Sequence, residues 1–390
     1  MAKNTTIKNT SVIIGYLHVG TPNHGVTRYG QFLTQEARKC DSLEVIETTI
    51  ELVDDWKVNV KKIIQSTNQL SQADVVHFQF SQWIWGKKLR IFYLWLFIAN
   101  CKCPTVATLH DIYVEECSLN LKQAIFNFEI KKIVKYIQAK LDWRNVFYYS
   151  LLRLLKVAFV CTKQEQERLR SIIGYNLRQK VVNIPHFVEQ REKKIDSQTA
   201  RRSLGLEKYK VVTLLGWIHG RKGHDLAVEA LGMLPENFAM VFAGKYNERS
   251  TDFANQLIER AEQLGVSDRL RITGYLSEAK LEQYLFATDV ALCPFRTCSA
   301  SGSLSTWISV QHPRILVSDL PQIREYNSIS PNSVKLLESL SPEVIAQSVI
   351  GLLNSSSTDQ ALAVEELQRK LEISSIFDKH LKYYSQLVHI

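Results

Sequence analysis

An apolar run from Val211 to Leu215 leads into Gly216-Trp217-Ile218-His219-Gly220-Arg221-Lys222-Gly223, and His224 to Leu231 then reads as a helix. Three glycines and two adjacent cations between a strand and a helix suit the binding of an anion. Glycine lets backbone N–H groups close on the anion, a helix N-terminus adds a favourable partial charge, and lysine or arginine neutralises phosphate. The loop is a place to hold the phosphates of a nucleotide. Lys222 is the first candidate for that contact, with Arg221 beside it and Gly216 at the strand end. The bland alternative is two solvated loop cations. A second run, Ser299-Ala300-Ser301-Gly302-Ser303-Leu304-Ser305, is small and rich in hydroxyls and opens a helix. Its N–H and hydroxyl groups can also take phosphate.

The elements around these loops alternate. In the first half, strands are expected at Ser11–Leu17, Leu43–Ile50, Asp74–Phe80, Thr105–His110, Val157–Thr162 and Val181–Phe187, with amphipathic segments between most of them. A polar, charged stretch from Glu189 to Gln198 reads as a linker. The second series has strands at Lys210–Leu215, Phe238–Ala243, Arg269–Thr273, Val290–Pro294 and Arg314–Ser318, and late helices at Val344–Leu353 and Ile376–Val388. Such alternation predicts parallel sheets covered by helices. The fold class expected is α/β, with two doubly wound Rossmann-like domains facing across a cleft: residues 1–190, residues 191–370, and a terminal helix in 371–390 packing back on the first domain.

A chain of 390 residues is long for one core, and 45% hydrophobic with 22% charged residues is ordinary globular composition. The seven cysteines are scattered apart from Cys101-Lys102-Cys103, which lacks a second pair for zinc, so reduced and mostly buried thiols are expected. No Asp-x-Asp or histidine cluster suggests a metal site. No secretory leader is apparent, and the best membrane-span candidate, Ile91–Asn100, is about half the length a bilayer requires. A cytoplasmic protein is expected, either soluble or peripheral on the inner face of the membrane.

The net charge of +9 is unevenly spread. Lys122, Lys131, Lys132, Lys135, Lys140, Arg144, Arg153 and Lys156 stand against only Glu129 and Asp142 between Leu121 and Val157. Aromatic and aliphatic residues interleave with them, among them Phe126, Phe128, Ile130, Ile133, Val134, Tyr136, Ile137, Trp143 and Leu151. A helix of this kind suits an anionic membrane surface. The alternative is a surface helix with its apolar side packed on its own domain. Nucleic acid is not expected, because no binding motif accompanies the charge.

The second half resembles the retaining glycosyltransferases of the GT-B fold, family 4, which use nucleotide-sugar donors. The resemblance is carried in order by the loop after Leu215, by Val241-Phe242-Ala243-Gly244, by Arg271-Ile272-Thr273-Gly274-Tyr275-Leu276-Ser277, by Tyr284 to Pro294, and by Pro313 with Ser318-Asp319-Leu320-Pro321. It extends more loosely to Gly25-Val26-Thr27-Arg28-Tyr29-Gly30 after the first strand and to Thr108-Leu109-His110-Asp111 at another strand end. It implies a donor site made by Gly25, Gly216, Arg221, Tyr275, Leu276, Ser301, Gly302, Ser303 and Thr306, with the backbone near Tyr275 and Leu276 holding the base. It implies His110 beside the reacting sugar and Lys222 at the diphosphate as the catalytic pair, with no metal and no cofactor. Beside that role, His110 also reads as a strand-end histidine satisfied by the backbone, and Asp111 as a turn cap. Arg28 suits either a local ion pair or a substrate contact. His77, Gln79 and His186 stand at strand ends without a sign separating site from core. Trp83 and Trp85, in Gln82-Trp83-Ile84-Trp85-Gly86-Lys87-Lys88, suit packing more than stacking on a sugar or lipid.

This chain departs from the family pattern at three places. Trp217 stands where an arginine contacts the diphosphate, and Cys298 and Thr306 stand where two glutamates hold the sugar and the ribose. The resulting expectation is transfer of a sugar, from a UDP or GDP donor, to a glycan or lipid-linked acceptor in polysaccharide or glycoconjugate synthesis. The alternative is a GT-B protein without transferase activity that binds a nucleotide or glycan as a regulatory or assembly partner.

Overall fold

The computed structural model describes residues 12–21, 24–85, 91–112, 114, 126, 129–192, 195–246 and 248–388. Lys122, Phe128, Gly86, Lys87 and Lys88 lie outside them, as do the side chains of Trp83, Lys135 and Lys140. The chain forms two compact units, one from Met1–His186 with Ile373–Ile390, the other from Phe187–Glu372.

The first unit contains six strands, β1 (Val12–Val19), β2 (Leu43–Ile50), β3 (Val75–Phe80), β4 (Thr105–Leu109), β5 (Val157–Val160) and β6 (Val181–Asn183). They form one parallel sheet in the order β2-β1-β3-β4-β5-β6. β3, β4 and β5 are buried along their whole length, as continuous apolar runs in a helix-covered sheet require. The sixth strand stops at Asn183 rather than Phe187, because Pro185 has no N–H to offer the ladder. Thr162 caps the helix Lys163–Ile172 by accepting from the Glu165 N–H at 3.1 Å. The C-terminal helix Ile373–Val388 packs on this sheet and buries Ile376, Phe377, His380 and Tyr384.

The second unit repeats the plan with β7 (Lys210–Leu215), β8 (Phe238–Ala243), β9 (Leu270–Ile272), β10 (Val290–Cys293), β11 (Ile315–Ser318) and β12 (Lys335–Leu337). Its parallel order is β12-β11-β10-β7-β8-β9. β12 has no counterpart in the sequence reading: three residues starting with an exposed lysine give no periodic signal. The end of the charged stretch is already helix, since Asp196 caps Ser197–Leu204 and Gly205 ends it in the left-handed conformation. Arg191 of the same stretch pairs with Glu278 at 2.8 Å.

In each sheet the winding reverses beside the first strand of the unit, between β1 and β3 and between β7 and β10. Ligands of open α/β sheets bind outside the carboxyl ends of the strands at such a reversal. The Gly-rich loop named from sequence leaves β7 at that point, and Gly25–Gly30 follows β1 as the first turns of the helix Gly25–Ala37. The described cysteines are thiols outside any disulfide, but only Cys161 and Cys293 are buried; Cys40, Cys101, Cys103 and Cys298 are half-buried, against the expectation of mostly buried thiols.

Candidate functional site

In the C-terminal unit the site is built on backbone contacts that only glycine permits. Gly216 has φ 104 and Gly223 has φ 74, a region side chains disfavour. A Cβ on Gly223 would lie 2.2 Å from the carbonyl oxygen of Pro294 at the end of β10. One on Gly244 would lie 2.0 Å from the carbonyl oxygen of Gly216. These two close approaches draw the loops after β7, β8 and β10 together. Gly216 N–H donates to Ala243 O at 3.0 Å, and Ile218 N–H to Lys245 O at 2.9 Å.

Lys222 is the centre of this arrangement. Its Nζ donates to Leu215 O and to Ser303 Oγ, each at 2.8 Å, and lies 5.5 Å from the centroid of the Phe295 ring. Ser303 belongs to the first turn of the helix Gly302–Ser309, whose cap is Ser301: Ser301 Oγ accepts from Leu304 N–H at 3.3 Å and lies 3.1 Å from Ser303 Oγ. A lysine ammonium thus stands at the positive end of a helix dipole, two sources of positive potential at one point. Nothing in the fold neutralises that potential with a carboxylate at hydrogen-bonding distance of Nζ among the described residues. Burial lowers the Lys222 pKa to about 8, with Arg221 adding to the shift. The neighbouring histidines are held neutral: burial lowers His219 to about 4 and His224 to about 3, with Lys222 contributing to both.

A surface clamp holds the loop. Arg296 forks onto Asp225 with two bonds of 2.7 Å and donates to Gly220 O at 2.7 Å, while its own N–H donates to Arg221 O at 2.8 Å. Burial opposes the Asp225 charge, and the Arg296 guanidinium outweighs it, so its pKa falls below the usual carboxylate range. The sequence reading missed this pair, because nothing local marks residues 71 positions apart as partners.

Of the residues expected at the donor, Gly216, Lys222, Ser301, Gly302 and Ser303 come together. Arg221 has an exposed side chain and joins them through its backbone. Thr306 turns its hydroxyl onto Gly302 O at 2.9 Å, within its own helix. Cys298, in the place of a family glutamate, contacts Gln322, whose Nε2 donates to Cys298 O and lies 3.4 Å from its Sγ. Leu276 packs on the small core beside Tyr284, whereas Tyr275 is 79% exposed. Tyr275 and Trp217 bracket a cation the sequence reading missed: Lys245 Nζ lies 4.7 Å from the Trp217 ring centroid and 5.5 Å from that of Tyr275. The lysine after Gly244 could have been flagged as a strand-end cation.

The remaining candidates belong to the N-terminal unit. Gly25 is the exposed first residue of the helix Gly25–Ala37, capped by His24, whose Nδ1 accepts from Val26 N–H at 3.3 Å. Arg28 stacks on Phe32 at 5.2 Å. His110 follows β4 and extends its ladder by donating its N–H to Phe80 O at 2.8 Å. Its ring meets Tyr29 edge-on at 5.1 Å, and Tyr29 also contacts the His186 ring at 4.7 Å. Burial lowers His110 to about 3, so it is a neutral imidazole at neutral pH. Asp111 has φ 55, which turns the chain sharply after His110. Glu165 Oε1 accepts from Ile112 N–H at 3.4 Å and ties that turn to the helix Lys163–Ile172 that follows β5; burial raises its pKa to about 7. His77 is wholly buried within β3, which assigns it to the core. Trp85 is equally buried, with Nε1 donating to Gln79 O at 2.9 Å, the packing role expected of it.

The basic stretch divides: its second helix, Trp143–Leu154, packs Phe147, Tyr148 and Leu151 into the core of its own unit, as the packed-helix alternative expects, whereas the first leaves an apolar stripe open. In the helix Ile130–Leu141 the apolar residues Ile130, Val134, Ile137 and Leu141 form one stripe at helical spacing, and all four are exposed, Ile130 by 67% and Leu141 by 73%. Beside it, Leu141, Trp143, Val146, Tyr149 and Leu154 line an open apolar groove of about 1300 Å³ rimmed by Arg153. Among the described residues, no helix is long and apolar enough to cross a membrane.

Comparison with known proteins agrees with this architecture. Residues 196–305 match the family model of glycosyl transferases group 1. The mannosylfructose-phosphate synthase of Agrobacterium fabrum is 33% identical over 99 residues, 24% of this chain and 22% of that protein, so the match spans about a fifth of the relative's length. Among solved structures, Anabaena HepE in complex with UDP and glucose superposes with a TM-score of 0.70 at 13% identity, covering 96% of this chain and all of that one. Sucrose-phosphate synthase from Thermosynechococcus elongatus gives 0.67 at 16% identity, covering 96% and 99%. The fold is the two-domain GT-B architecture that these proteins share.

Proposed function

We propose that this chain is a group 1 glycosyltransferase that takes a nucleotide sugar in its C-terminal unit and transfers the sugar with retention to a glycan or lipid-linked acceptor. The observation that carries the reading is Lys222 Nζ, held 2.8 Å from Ser303 Oγ at the start of the helix Gly302–Ser309. Transfer from a nucleotide sugar builds negative charge on the departing diphosphate while the sugar becomes oxocarbenium-like. A fixed ammonium and the N–H groups of a helix N-terminus stabilise that charge more in the transition state than in the ground state, which is what accelerates the step. The acceptor hydroxyl attacks the face the diphosphate leaves, and a diphosphate oxygen takes its proton. This route needs no carboxylate nucleophile, so Cys298 and Thr306 in place of glutamates are compatible with turnover. Neutral His110 serves the sugar as a hydrogen-bonding partner, not as an acid. The UDP and glucose in the HepE structure support a UDP-type donor, with GDP as the alternative.

The test is thermal stabilisation by UDP, GDP and ADP sugars, followed by a search for product with acceptor extracts. Stabilisation by one nucleotide class with sugar transfer is expected. Stabilisation without transfer to any acceptor would favour the second reading, a binding partner without transferase activity. That reading rests on Trp217, and on the engagement of Thr306 with its own helix.

The acceptor side is proposed to meet an anionic membrane through the helix Ile130–Leu141. Burying a fully exposed Ile or Leu supplies about 1.5–3 kcal/mol, and a basic residue near anionic lipid about 1 kcal/mol, so a stripe of four with Lys131 and Lys132 beside it suffices for peripheral binding. Flotation with anionic liposomes is expected, weakened at least several-fold by charge reversal at Lys131, Lys132 and Lys135. Binding indifferent to that reversal would remove the electrostatic part of this proposal.

A further inference from the structure

A buried chain of hydrogen bonds runs through the N-terminal unit from His110 to the C-terminal helix. His110 Nε2 is 2.9 Å from Gln79 Oε1, and the nitrogen of the same amide is 3.4 Å from His77 Nε2. His77 Nδ1 is 2.6 Å from the Tyr384 hydroxyl, which is 3.5 Å from the Tyr16 hydroxyl. The Thr108 hydroxyl closes on His77 Nε2 at 2.9 Å. Tyr16, His77 and Tyr384 are wholly buried, and Gln79 and Thr108 nearly so.

Burial keeps both imidazoles neutral, with His77 well below its ordinary pKa and His110 at about 3. Each ring then carries one N–H and one lone pair. An amide oxygen only accepts, so the proton of His110 is on Nε2 and its lone pair on Nδ1. An amide nitrogen only donates, so His77 receives at Nε2, where the Thr108 hydroxyl donates to the same lone pair, and carries its proton on Nδ1, which donates to Tyr384. Tyr384 passes its own proton on to Tyr16. Every bond in the chain therefore points the same way. Inverting any one member forces a like pair of donors or acceptors to face each other unless the next member inverts too, and an unmade bond between buried groups is costly.

We propose that Gln79 and Tyr384 are positioning residues that fix His110 as the Nε2–H tautomer, leaving Nδ1 as the acceptor for a substrate hydroxyl. The use made of that acceptor rests on the transferase reading above; the tautomer lock does not. It gives the C-terminal helix a role beyond packing, because Tyr384 is the only member of the chain that comes from outside the strands β1, β3, β4 and the residue that follows β4.

Nitrogen-detected NMR of the full chain labelled with ¹⁵N-histidine tests this directly. The unsubstituted protein is expected to show His110 protonated at Nε2 and His77 at Nδ1. In Tyr384→Phe both rings should populate both tautomers, and kcat should fall about two- to tenfold, the worth of one ordinary hydrogen bond, with the donor KM unchanged. In Gln79→Leu, adding Tyr384→Phe should leave the His110 signals as they are, because the route is already cut. Phe377→Leu on the same helix should lower Tm without altering either tautomer. A His110 that keeps a single Nε2–H tautomer in Tyr384→Phe, or carries its proton on Nδ1 in the unsubstituted protein, overturns the proposal. A fully active His110→Ala with the expected tautomer changes would instead leave the lock standing and remove His110 from the transfer step.

Discussion

Lys222→Ala is expected to lower kcat/KM for sugar transfer by about 100- to 1,000-fold, the usual cost of removing one preorganised donor from a developing anion. The ammonium is fixed at both ends of its reach, by Leu215 O and Ser303 Oγ, so no neighbouring cation replaces it by simple rotation. Arg221 is exposed, and Lys245 sits between Trp217 and Tyr275. Arginine is a poor substitute for Lys222, since its planar fork cannot take a slot shaped for a point charge. The pH dependence has a definite sign. Burial holds the folded pKa at about 8, below the ordinary lysine value of 10.5. The penalty for keeping this group charged in the unliganded fold is present in full below about pH 8 and is relieved as pH rises from there towards the unfolded value. Bound diphosphate favours the ammonium and raises its pKa. Nucleotide affinity should therefore weaken as pH rises through about 8, and binding above that pH should take up a proton. Calorimetry at pH 8.5 in two buffers of different ionisation enthalpy reads the uptake; none in the unsubstituted protein would take Lys222 out of the site.

Gly244→Ala is expected to destabilise the C-terminal unit by roughly 2–4 kcal/mol, because the new methyl has no room and the atom it meets is backbone. It would stand 2.0 Å from Gly216 O, while the strands on either side are tied by Gly216 N–H to Ala243 O and Ile218 N–H to Lys245 O. Relief requires the β7 and β8 loops to separate, which moves the carbonyl of Leu215 away from Lys222. Tm should fall by roughly 5–15 °C for a unit of this size, and nucleotide stabilisation should be lost with it. The contrast is Gly351→Ala in the helix Pro342–Asn354, where a Cβ meets nothing within 4 Å. That change is expected to stabilise by about 0.5–1 kcal/mol through helix propensity and a less free unfolded chain. Calorimetric unfolding compares the two; equal Tm values would mean that the close approach at Gly244 carries no strain.

The fold was largely legible because the central strands of both sheets, among them β3, β5, β8 and β10, are mostly apolar and buried along their whole length. β2, β7 and β8 have the bounds read from sequence, and Lys222 was legible as a loop cation from its glycine neighbours. What escaped were features set by distant residues. The Arg296–Asp225 clamp joins two loops whose nearness exists only after β7 and β10 pair. Lys245 acquires its place from Trp217 and Tyr275, residues in two other loops. His77 reads as a polar interruption in an apolar strand, and its partner Tyr384 lies 307 positions away. The exposed stripe of Ile130–Leu141 was ambiguous for the opposite reason: its periodicity is clear, but periodicity does not tell a packed face from an open one.

On the proposed reading, the diphosphate of a nucleotide sugar binds where Lys222 meets the helix Gly302–Ser309. A structure of the chain with UDP bound, or GDP if that is the nucleotide that stabilises it, tests it most directly. Phosphate oxygens are expected within about 3 Å of Lys222 Nζ and of the backbone N–H groups of Gly302 and Ser303. Phosphates bound elsewhere, with Lys222 still closed on Leu215 and Ser303, would contradict it.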